Sequence, residues 1–580
     1  MVKQLYQQSV HQERRQVLNN EMNAQQLLKR LSQLKTDRIK HEAHWKECYK
    51  YCAPERQQSF TDVAALALEQ ERKQARTDLF DTTAVEGIQL LVSSIVSGTT
   101  SPVSIWFKSV PSGVDTPSQL TQGEQWLSQV DQFLFRNIHA SNFDSEVTDF
   151  LTDLVVAGWA VLYADTNRDK GGFTFNTWSI GNCYISSTQA NGLIDTIYRE
   201  FELSAEQIVS GFGIDNVSDK VKTALEKKPD QKFTLVQAIF PRDSKFVKGE
   251  EGKRVSTSMP FASYTIESQS KHILKESGFE EFPCVVSRFK KIPDSHYGLG
   301  MGSMVISDAK TANQLTKLSL QTAELNLGGL WVAQHDGVVN PNTLRIRPNA
   351  IIAANSVDAI KRLDTGSASV GLGLDFLQHF QAKIKRTLMS DQLTPQGSSP
   401  LTATEIQARV QVYRNQLGSV FSRMQSEYLQ VLLERCWGLA MRSGVLPPAP
   451  EELMQASRIS FNFINPMAAS QKLEWVTAIQ NLMINVSQMA QIDQTVMDNL
   501  NLDAMVQVMA DALSVPVEAI RTDEEIAELR QAKQEQQQAM QEQQQQQALM
   551  SQVGQTGLEV AKEQAKNMTP DQLGAMFEQQ

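Results

Sequence analysis

Two histidines and two cysteines, residue types that bind zinc, stand close together at His41, His44, Cys48 and Cys52. Their spacings of three, four and four residues place all four side chains on one face of a helix. Such a face can offer two ligands to a metal ion, but one straight helix cannot supply four ligands in tetrahedral geometry. The pattern therefore favours a packed helix face over a zinc site, and we expect no metal ligand in the chain.

Glycine-rich segments resemble two nucleotide-binding motifs without completing either one. Gly298, Gly300 and Ser303 follow the spacing of a dinucleotide fingerprint, but the third glycine is missing. The segment 249–253 ends in Gly-Lys, but its spacing differs from that of a P-loop. The sequence also lacks the Gly-x-Ser-x-Gly and His-Glu-x-x-His motifs. We therefore expect no catalytic residue, no cofactor and no enzymatic activity, and we interpret 298–303 as a tight turn that leads into a helix.

The 580 residues include 55 basic and 65 acidic side chains, which gives a formal net charge of -10. A chain of this length predicts about three to four structural units. Proteins that wrap nucleic acid usually carry a basic surplus, so any contact with DNA should be local or weak. The five cysteines are dispersed, residues 1–15 are polar, and the apolar stretches are too short to span a bilayer. These features predict a reducing compartment and neither secretion nor membrane insertion.

Apolar periodicity predicts helices in the first part of the chain, and short β-branched or aromatic runs predict strands after it. The predicted helices span 20–50, 60–97, 118–139 and 144–157, with a strand at 105–110. Asn142 is the expected cap of the fourth helix. From 160 to 290 the chain is rich in predicted strands, with a helical insert at 204–212 that begins with a Ser204–Gln207 capping box.

The part of the chain after residue 300 is predicted to be mainly helical. Helices at 303–327 and 372–389 flank short strands within 330–365. The uncharged loop Leu393–Pro400 follows the second helix and is either a surface turn or a functional element.

The longest predicted helix spans 402–442 and carries an apolar stripe with alternating four- and three-residue spacing as far as Met424. The spacing drifts at Tyr428, so core packing is favoured over a coiled coil. After residue 466 the chain is predicted to be helical to about residue 535. Residues 531–580 are roughly one-third Gln, which is typical of a long polar helix, a helix in a multi-chain assembly, or disorder.

Several short segments occur in an order that is more specific than any one of them. They are Asp81-Thr82-Thr83-Ala84 with the helix after it and Trp106-Phe107; Leu154–Gly158 with Val161–Tyr163; Phe240-Pro241-Arg242; Tyr297-Gly298 with its helix; Leu401–Ile406; and Ile464–Ala468 with Val515–Arg521. Over roughly residues 30–530 this ordered set resembles the portal, or head-to-tail connector, proteins of short-tailed phages of the T7-like kind.

The resemblance implies a mainly helical α+β fold that assembles as a closed ring of about twelve copies at one capsid vertex. Double-stranded DNA would enter through the ring's channel during packaging and leave through it during infection. The implied partners are the terminase large subunit, which would hydrolyse ATP, the tail adaptor and nozzle proteins, and the major capsid and scaffolding proteins. The implied location is the virion, after assembly in the host cytoplasm, without contact with a membrane.

The family architecture also implies a division of the chain into named parts. These are an N-terminal polar arm at 1–19, a wing at 20–295, a first stem helix at 296–328, a clip at 329–366, a second stem helix at 367–389, a channel loop at 390–401, a long wing helix and connection at 402–465, a crown at 466–530, and a Gln-rich C-terminal barrel or tail at 531–580.

Cations in the two stem helices are candidates for weak, sequence-independent phosphate contacts in the channel. They are Lys310 and Lys317 in the first helix and Lys383, Lys385 and Arg386 in the second. The alternative is that these side chains pair with acids of neighbouring subunits or face solvent.

The segment Leu393–Pro400 of the channel loop has no charged and no aromatic residue, and its copies would form a collar that retains DNA. Its candidate residues are Leu393, Thr394, Pro395, Gln396, Gly397, Ser398, Ser399 and Pro400.

The small residues Ala309, Ala312, Ser319 and Ala323 are candidates for close packing between subunits, or they reflect helix propensity alone. A non-viral α/β scaffold or adaptor protein is the alternative function.

Overall fold

The computed structural model combines long helices with antiparallel β-sheets. The helices are α1 (Val2–Cys52), α2 (Ala65–Thr77), α3 (Thr83–Thr99), α4 (Thr121–His139), α5 (Phe143–Ala157), α6 (Ala205–Phe212), α7 (Asp219–Lys227), α8 (Met301–Gly328), α9 (Ala368–Thr387), α10 (Ser390–Leu393), α11 (Gln430–Ser443), α12 (Pro466–Ala490) and α13 (Leu502–Ala512). The strands are β1 (Phe107–Ser112), β2 (Trp159–Thr166), β3 (Phe173–Trp178), β4 (Cys183–Ser186), β5 (Thr196–Ser204), β6 (Lys232–Pro241), β7 (Phe261–Glu267), β8 (His272–Phe279), β9 (Cys284–Arg288), β10 (Lys290–Lys291), β11 (Gly298–Leu299), β12 (Leu330–Ala333), β13 (Ile360–Leu363) and β14 (Arg458–Phe463). The structure describes residues 2–57, 60, 65–112, 121–167, 170–251, 253–328, 330–333, 360–363, 368–393, 418, 420–450, 453, 458–463, 466–490, 500–512, 521 and 526–540.

Helix α5 lies at the centre of the helical part, and its apolar residues recur at helical spacing. Val147, Leu151 and Leu154 are fully buried, and α1, α3 and α8 pack against this helix. Gly158 ends α5 in the left-handed conformation with φ 94°, which residues with a side chain rarely adopt. Strand β2 begins at the next residue, so the predicted helix at 144–157 is confirmed together with its exit into a strand.

Two antiparallel sheets make up the strand-rich region that the sequence predicted. In the three-stranded sheet β3-β2-β9, Val161 of the central strand pairs with Trp178 on one side and Val286 on the other. The second sheet has the order β4-β5-β6-β7-β8. Its two faces are covered by different helices, because Leu235 packs on α6 and α7 whereas the next residue, Val236, packs on α1. The predicted capping box of α6 is also confirmed.

The side chain of Asn142 bonds a strand edge instead of capping α5. The Asn142 side chain forms no capping hydrogen bond with the first turn of this helix. The Asn142 amide instead donates to Phe175 O (2.6 Å) and accepts from Phe175 N (2.9 Å). Glu146 accepts the N–H of Thr177 at 2.6 Å. Asn142 thus occupies the predicted cap position without a side-chain capping bond, and the two side chains satisfy backbone groups of β3 that no neighbouring strand pairs.

The prediction of a single helix at 60–97 is wrong, because the structure has two helices there. Helix α2 ends at Thr77 and α3 begins at Thr83. The Asp81 carboxylate accepts the N–H of Thr83 at 3.1 Å, which satisfies one of the free amides of the first turn of α3. The break falls where the sequence changes from polar to apolar composition.

The long helix after residue 418 is interrupted by a π-helical turn at Gln425–Leu429. Residues 420–424 precede this turn and α11 follows it. A π turn accommodates one residue more than an α turn, which explains why the apolar spacing drifts at Tyr428. Residues 401–417, most of the first half of the predicted helix 402–442, lie outside the described residues.

The chain divides into two compact units, the first formed by 1–115 and 126–470 and the second by 116–125 and 471–580. In the second unit, residues 526–540 are helical, so the Gln-rich segment begins as a helix. Residues 541–580 lie outside the described part of the chain. The helices that the structure describes include none that is both long and apolar enough to cross a membrane.

The turn between β11 and α8 lies directly on the backbone at the end of α5. A Cβ atom on Gly300 would lie 2.5 Å from Val155 O and 2.6 Å from Gly158 N, closer than real Cβ atoms approach. Only glycine therefore fits at this contact. The prediction of a tight turn leading into a helix is confirmed, and backbone contact explains the glycine spacing.

Replacing Gly300 with alanine should destabilise the protein by about 1–3 kcal/mol or more, because the added methyl group overlaps two backbone atoms. Thermal unfolding followed by circular dichroism measures the effect. Gly211→Ala in α6 is the control, because a Cβ there meets nothing within 4 Å. The control should be stabilising by about 0.5–1 kcal/mol, since alanine favours the helix. Equal melting temperatures for Gly300→Ala and the wild type would contradict this packing argument.

Candidate functional site

Helices α8 and α9 form an antiparallel pair that carries all five candidate channel cations. Near one end Lys383 contacts Asp308, and nearer the other Gly373 faces Ser319. Strands β12 and β13, which follow α8 and precede α9, pair in antiparallel register. Residues 334–359 between these strands lie outside the described residues. Helix α8 begins directly after the glycine turn, and the contact of this turn with the backbone at the end of α5 determines the direction of the helix.

A buried asparagine in α8 holds the segment that joins α2 to α3. The Asn313 Oδ1 atom accepts hydrogen bonds from Phe80 N (2.6 Å) and Asp81 N (3.1 Å). Its Nδ2 group donates to Asp78 O at 3.0 Å. Asn313 is only 8% exposed, so these backbone groups depend on its amide for their hydrogen bonds.

Helix α9 contacts the same segment through Gln381. Its Nε2 group donates to the Asp81 carboxylate at 2.7 Å, and the other oxygen of that carboxylate accepts from Thr83 N. Asp81 is 8% exposed. Both helices of the pair are therefore tied by side-chain amides to the start of α3, and Asp81 and Thr83 are two of the residues that carried the family resemblance.

Three of the five candidate cations have partners within the same chain. Lys310 pairs with Glu47 of α1 at 2.6 Å, and Lys383 pairs with Asp308 at 2.8 Å. The Lys317 ammonium lies 5.7 Å from the centre of the Phe80 ring, a cation–π distance. The groups are partly exposed, so each pair contributes little to stability, but the two ion pairs reduce the positive charge that the helix pair presents.

The other two candidate cations, Lys385 and Arg386, are exposed in the last turn of α9. Their side chains form no ion pair with a residue that the structure describes. Positive charge in the last turn is favourable, because it faces the negative end of the helix dipole. Their accessibility makes them the candidates best suited to meet an anionic partner.

The four small residues of α8 lie in different surroundings. Ala309 and Ala312 are buried within the chain, at 5% and 0% exposure. Ser319 faces Gly373 of α9, and Ala323 is half-buried. Packing inside one chain accounts for the size of the first three, and their role between subunits stays a prediction.

The candidate channel loop is only partly described. Leu393 is the last residue of the short helix α10, which packs against α3 and α9, so the expected loop at 390–401 begins with a helical turn. The residues Thr394, Pro395, Gln396, Gly397, Ser398, Ser399 and Pro400 lie outside the described residues.

The histidine and cysteine cluster of α1 is a packing face. His44 Nε2 lies 2.8 Å from the Ser303 hydroxyl, and Cys48 lies beside both groups. Burial raises the pKa of Cys48 to about 11 and raises that of Cys52 as well, so both thiols stay protonated at neutral pH. Within the described ranges, no group of three or more His, Cys, Asp or Glu side chains is placed to hold a metal ion.

The α8–α9 pair exposes several large apolar side chains. Leu318, Leu320, Leu374 and Phe376 are 48%, 54%, 46% and 51% exposed. The Ser319–Gly373 contact places all four at the same level of the pair. Leu318 and Leu320, like Leu374 and Phe376, are two residues apart in a helix and therefore point to different faces of it. Large apolar side chains at this exposure are typical of surfaces that another protein covers.

Sequence reasoning missed the residues that hold the pair in place. Asn313 and Gln381 are ordinary helix residues with no special spacing, and their partners lie 232 or more positions away. The one signal was indirect, because Asp81 and Thr83 belong to a motif of the family resemblance.

A family model and several known proteins are similar to this chain. The model, described as bacteriophage head to tail connecting protein, matches residues 24–520. The portal protein of Salmonella phage epsilon15 is 24% identical over 574 residues, which cover 95% of this chain and 97% of that protein. The probable portal protein of Bordetella phage BPP-1 is 24% identical over 526 residues, which cover 87% of this chain and 90% of that protein.

Replacing Asn313 with alanine should destabilise the protein by about 2–4 kcal/mol, because it leaves three backbone groups without a hydrogen bond. Differential scanning fluorimetry measures the change as a lower melting temperature. Gln314→Ala is the control, since Gln314 is the next residue of the same helix and is exposed. If both variants melt at the wild-type temperature, Asn313 does not hold the α2–α3 segment.

Proposed function

The chain belongs to the family of bacteriophage head to tail connecting proteins, and we propose that it acts as the portal protein of a short-tailed phage. The observation that carries the proposal is the match to this family over 24–520, together with similarity to a phage portal protein over nearly the whole of both chains. In this role the protein forms the channel for DNA packaging and ejection at one capsid vertex. It also provides the platform on which terminase and tail proteins dock.

The active form is a closed ring of about twelve copies. In such a ring each subunit contacts its neighbours through two different surfaces, so apolar residues exposed on one chain are buried by the next. The exposed residues Leu318, Leu320, Leu374 and Phe376 support this assembly. Ser319 and Ala323, both half-buried, are the candidates among the small residues that remain accessible for close approach.

The parts of the ring follow the family architecture. The strand-rich region and the helices around α5 form the wing, α8 and α9 form the stem, and the β12–β13 region begins and ends the clip. The second unit supplies the crown. Terminase, the tail adaptor and nozzle proteins, and the capsid and scaffolding proteins are the partners at these surfaces, in the host cytoplasm during assembly and then in the virion.

Contact with DNA in this channel is weak and does not depend on sequence. A net charge of -10 and the pairing of Lys310 and Lys383 with acids of the same chain both limit the attraction for phosphate. Weak attraction suits a channel, since tight phosphate binding would slow the movement of DNA. Lys385 and Arg386 are the accessible cations that support a transient contact.

The loop 394–400 retains packaged DNA as a collar. This part of the proposal rests on sequence alone, because the loop is uncharged and contains two prolines, which restrict its backbone. Shortening the loop while leaving α9 intact separates its role from that of the stem cations.

The ring is tested by the mass of the purified protein and by electron microscopy of its particles. Twelve chains of 64.9 kDa give roughly 780 kDa. Phe376→Asp should reduce the ring to single chains or small oligomers, because a charge would be buried between subunits. Phe246→Asp is the matched control, since Phe246 is 57% exposed in the strand-rich region. A ring that forms equally well with Phe376→Asp would exclude this surface from the interface.

The DNA contact is tested by packaging assays with rings that carry both Lys385→Ala and Arg386→Ala. The amount of packaged or retained DNA should fall by about twofold or more, because accessible phosphate contacts are lost. Rings with Lys310→Ala should package normally, since Glu47 already neutralises that charge. Normal packaging by the double variant would show that these cations do not serve the DNA.

A further inference from the structure

The π-helical turn before α11 lies where the apolar spacing of the helix is one residue longer than the regular pattern. The apolar stripe places buried residues at Val420 and Met424, and its regular spacing would put the next one at position 427. That position is Glu427, and Tyr428 occupies the buried place instead. The π turn at 425–429 absorbs the additional residue. Such turns are rare and occur mostly as single turns inside α-helices, and local departures from regular geometry persist where surrounding contacts hold them.

The contact at this turn is a buried ion pair with the strand-rich region. Glu427 Oε1 accepts from the Arg288 guanidinium at 2.6 Å, and Oε2 accepts from Arg288 Nε at 3.1 Å. Oε2 also accepts the backbone N–H of Arg288 at 3.0 Å. The side chains are 3% and 11% exposed, and Arg288 donates further to Gly192 O. One carboxylate thus binds both the charge and the backbone of the β9 edge.

Beyond the π turn, α11 is held by separate contacts. Arg435 donates to Ala164 O at 3.2 Å and to Glu281 at 3.0 Å. Arg442 also pairs with Glu281. The part of the helix after residue 430 therefore has its own attachment, whereas Arg423 Nη1, just before the turn, is buried with no hydrogen-bond partner in the described part of the chain.

We propose that Arg288 and Glu427 are positioning residues that lock residues 425–429 in the π-helical form and thereby set the orientation of the preceding turn of helix on β9. Without the pair, this turn loses its hydrogen bonds to β9, and residues 420–430 open more often while α11 stays attached through Arg435. In the ring proposed above, the pair determines how firmly each subunit's helix is held on its own strand-rich region. The consequence for the ring rests on the proposed function, but the local claim does not.

Hydrogen exchange followed by mass spectrometry on the full-length protein tests the local claim. In Glu427→Gln, amides of residues 420–430 should exchange about tenfold faster or more than in the wild type, while those of 432–443 keep their rates. Arg442→Gln is the matched control, because it removes another arginine–glutamate pair from the same helix. It should leave 420–430 unchanged. Wild-type exchange across 420–430 in Glu427→Gln would overturn the proposal.

A second variant covers the case in which Glu427→Gln fails to fold because it leaves Arg288 charged and buried. The double variant Arg288→Met with Glu427→Leu removes both charges at similar volume, and it should fold while showing the same faster exchange in 420–430. Arg288→Lys keeps the positive charge but cannot form the bidentate pair with Glu427, so amides of 420–430 should exchange at an intermediate rate. Uniform acceleration along 420–443 would show a general loss of stability and would also overturn the proposal. The mass of each variant is measured in parallel. A loss of ring assembly is thereby distinguished from a loss of the local Arg288–Glu427 contact.

Discussion

The close approach between the end of α5 and the glycine turn before α8 is the constraint on which the architecture depends. At this point a helix ends, the central strand of the three-stranded sheet begins, and the helix of the α8–α9 pair starts. Backbone atoms touch backbone atoms, and Gly158 O accepts the N–H of Phe289 at 2.9 Å. Because no side chain intervenes, there is little freedom for one element to move without the others. The sheet and the helix pair therefore have a determined mutual direction.

Polar side chains then connect elements that the apolar core does not orient. Asn313 and Gln381 tie both helices of the pair to the beginning of α3, while Asn142 and Glu146 bond the edge of β3. Asn313, Asn142 and Glu146 satisfy backbone groups that have no partner in a helix or a sheet, whereas Gln381 donates to the Asp81 carboxylate. Such contacts are directional, so they define register and angle more sharply than apolar packing does.

The surface of the α8–α9 pair is consistent with a subunit whose exposed apolar residues become buried only in an assembly. Two of its five candidate cations are paired with acids of the same chain, and its large apolar residues lie exposed at one level. In the proposed ring, the first property would let DNA move freely and the second would let subunits adhere.

The sequence by itself determined the strongly periodic helices, the strand-rich region, the capping box at Ser204 and the glycine turn, because each has a local signal within a few residues. It also determined the family, through motifs in order, which the comparisons confirm. Only the tertiary structure decided the break between α2 and α3, the use of Asn142 on a strand, the partners of Lys310 and Lys383, and the contact of Glu427 with Arg288. These depend on residues far apart in the chain, 139 positions in the last case, and a lysine or asparagine carries no local mark of the group that it will meet. The physical reason is that side-chain hydrogen bonds are chosen after packing has brought the elements together.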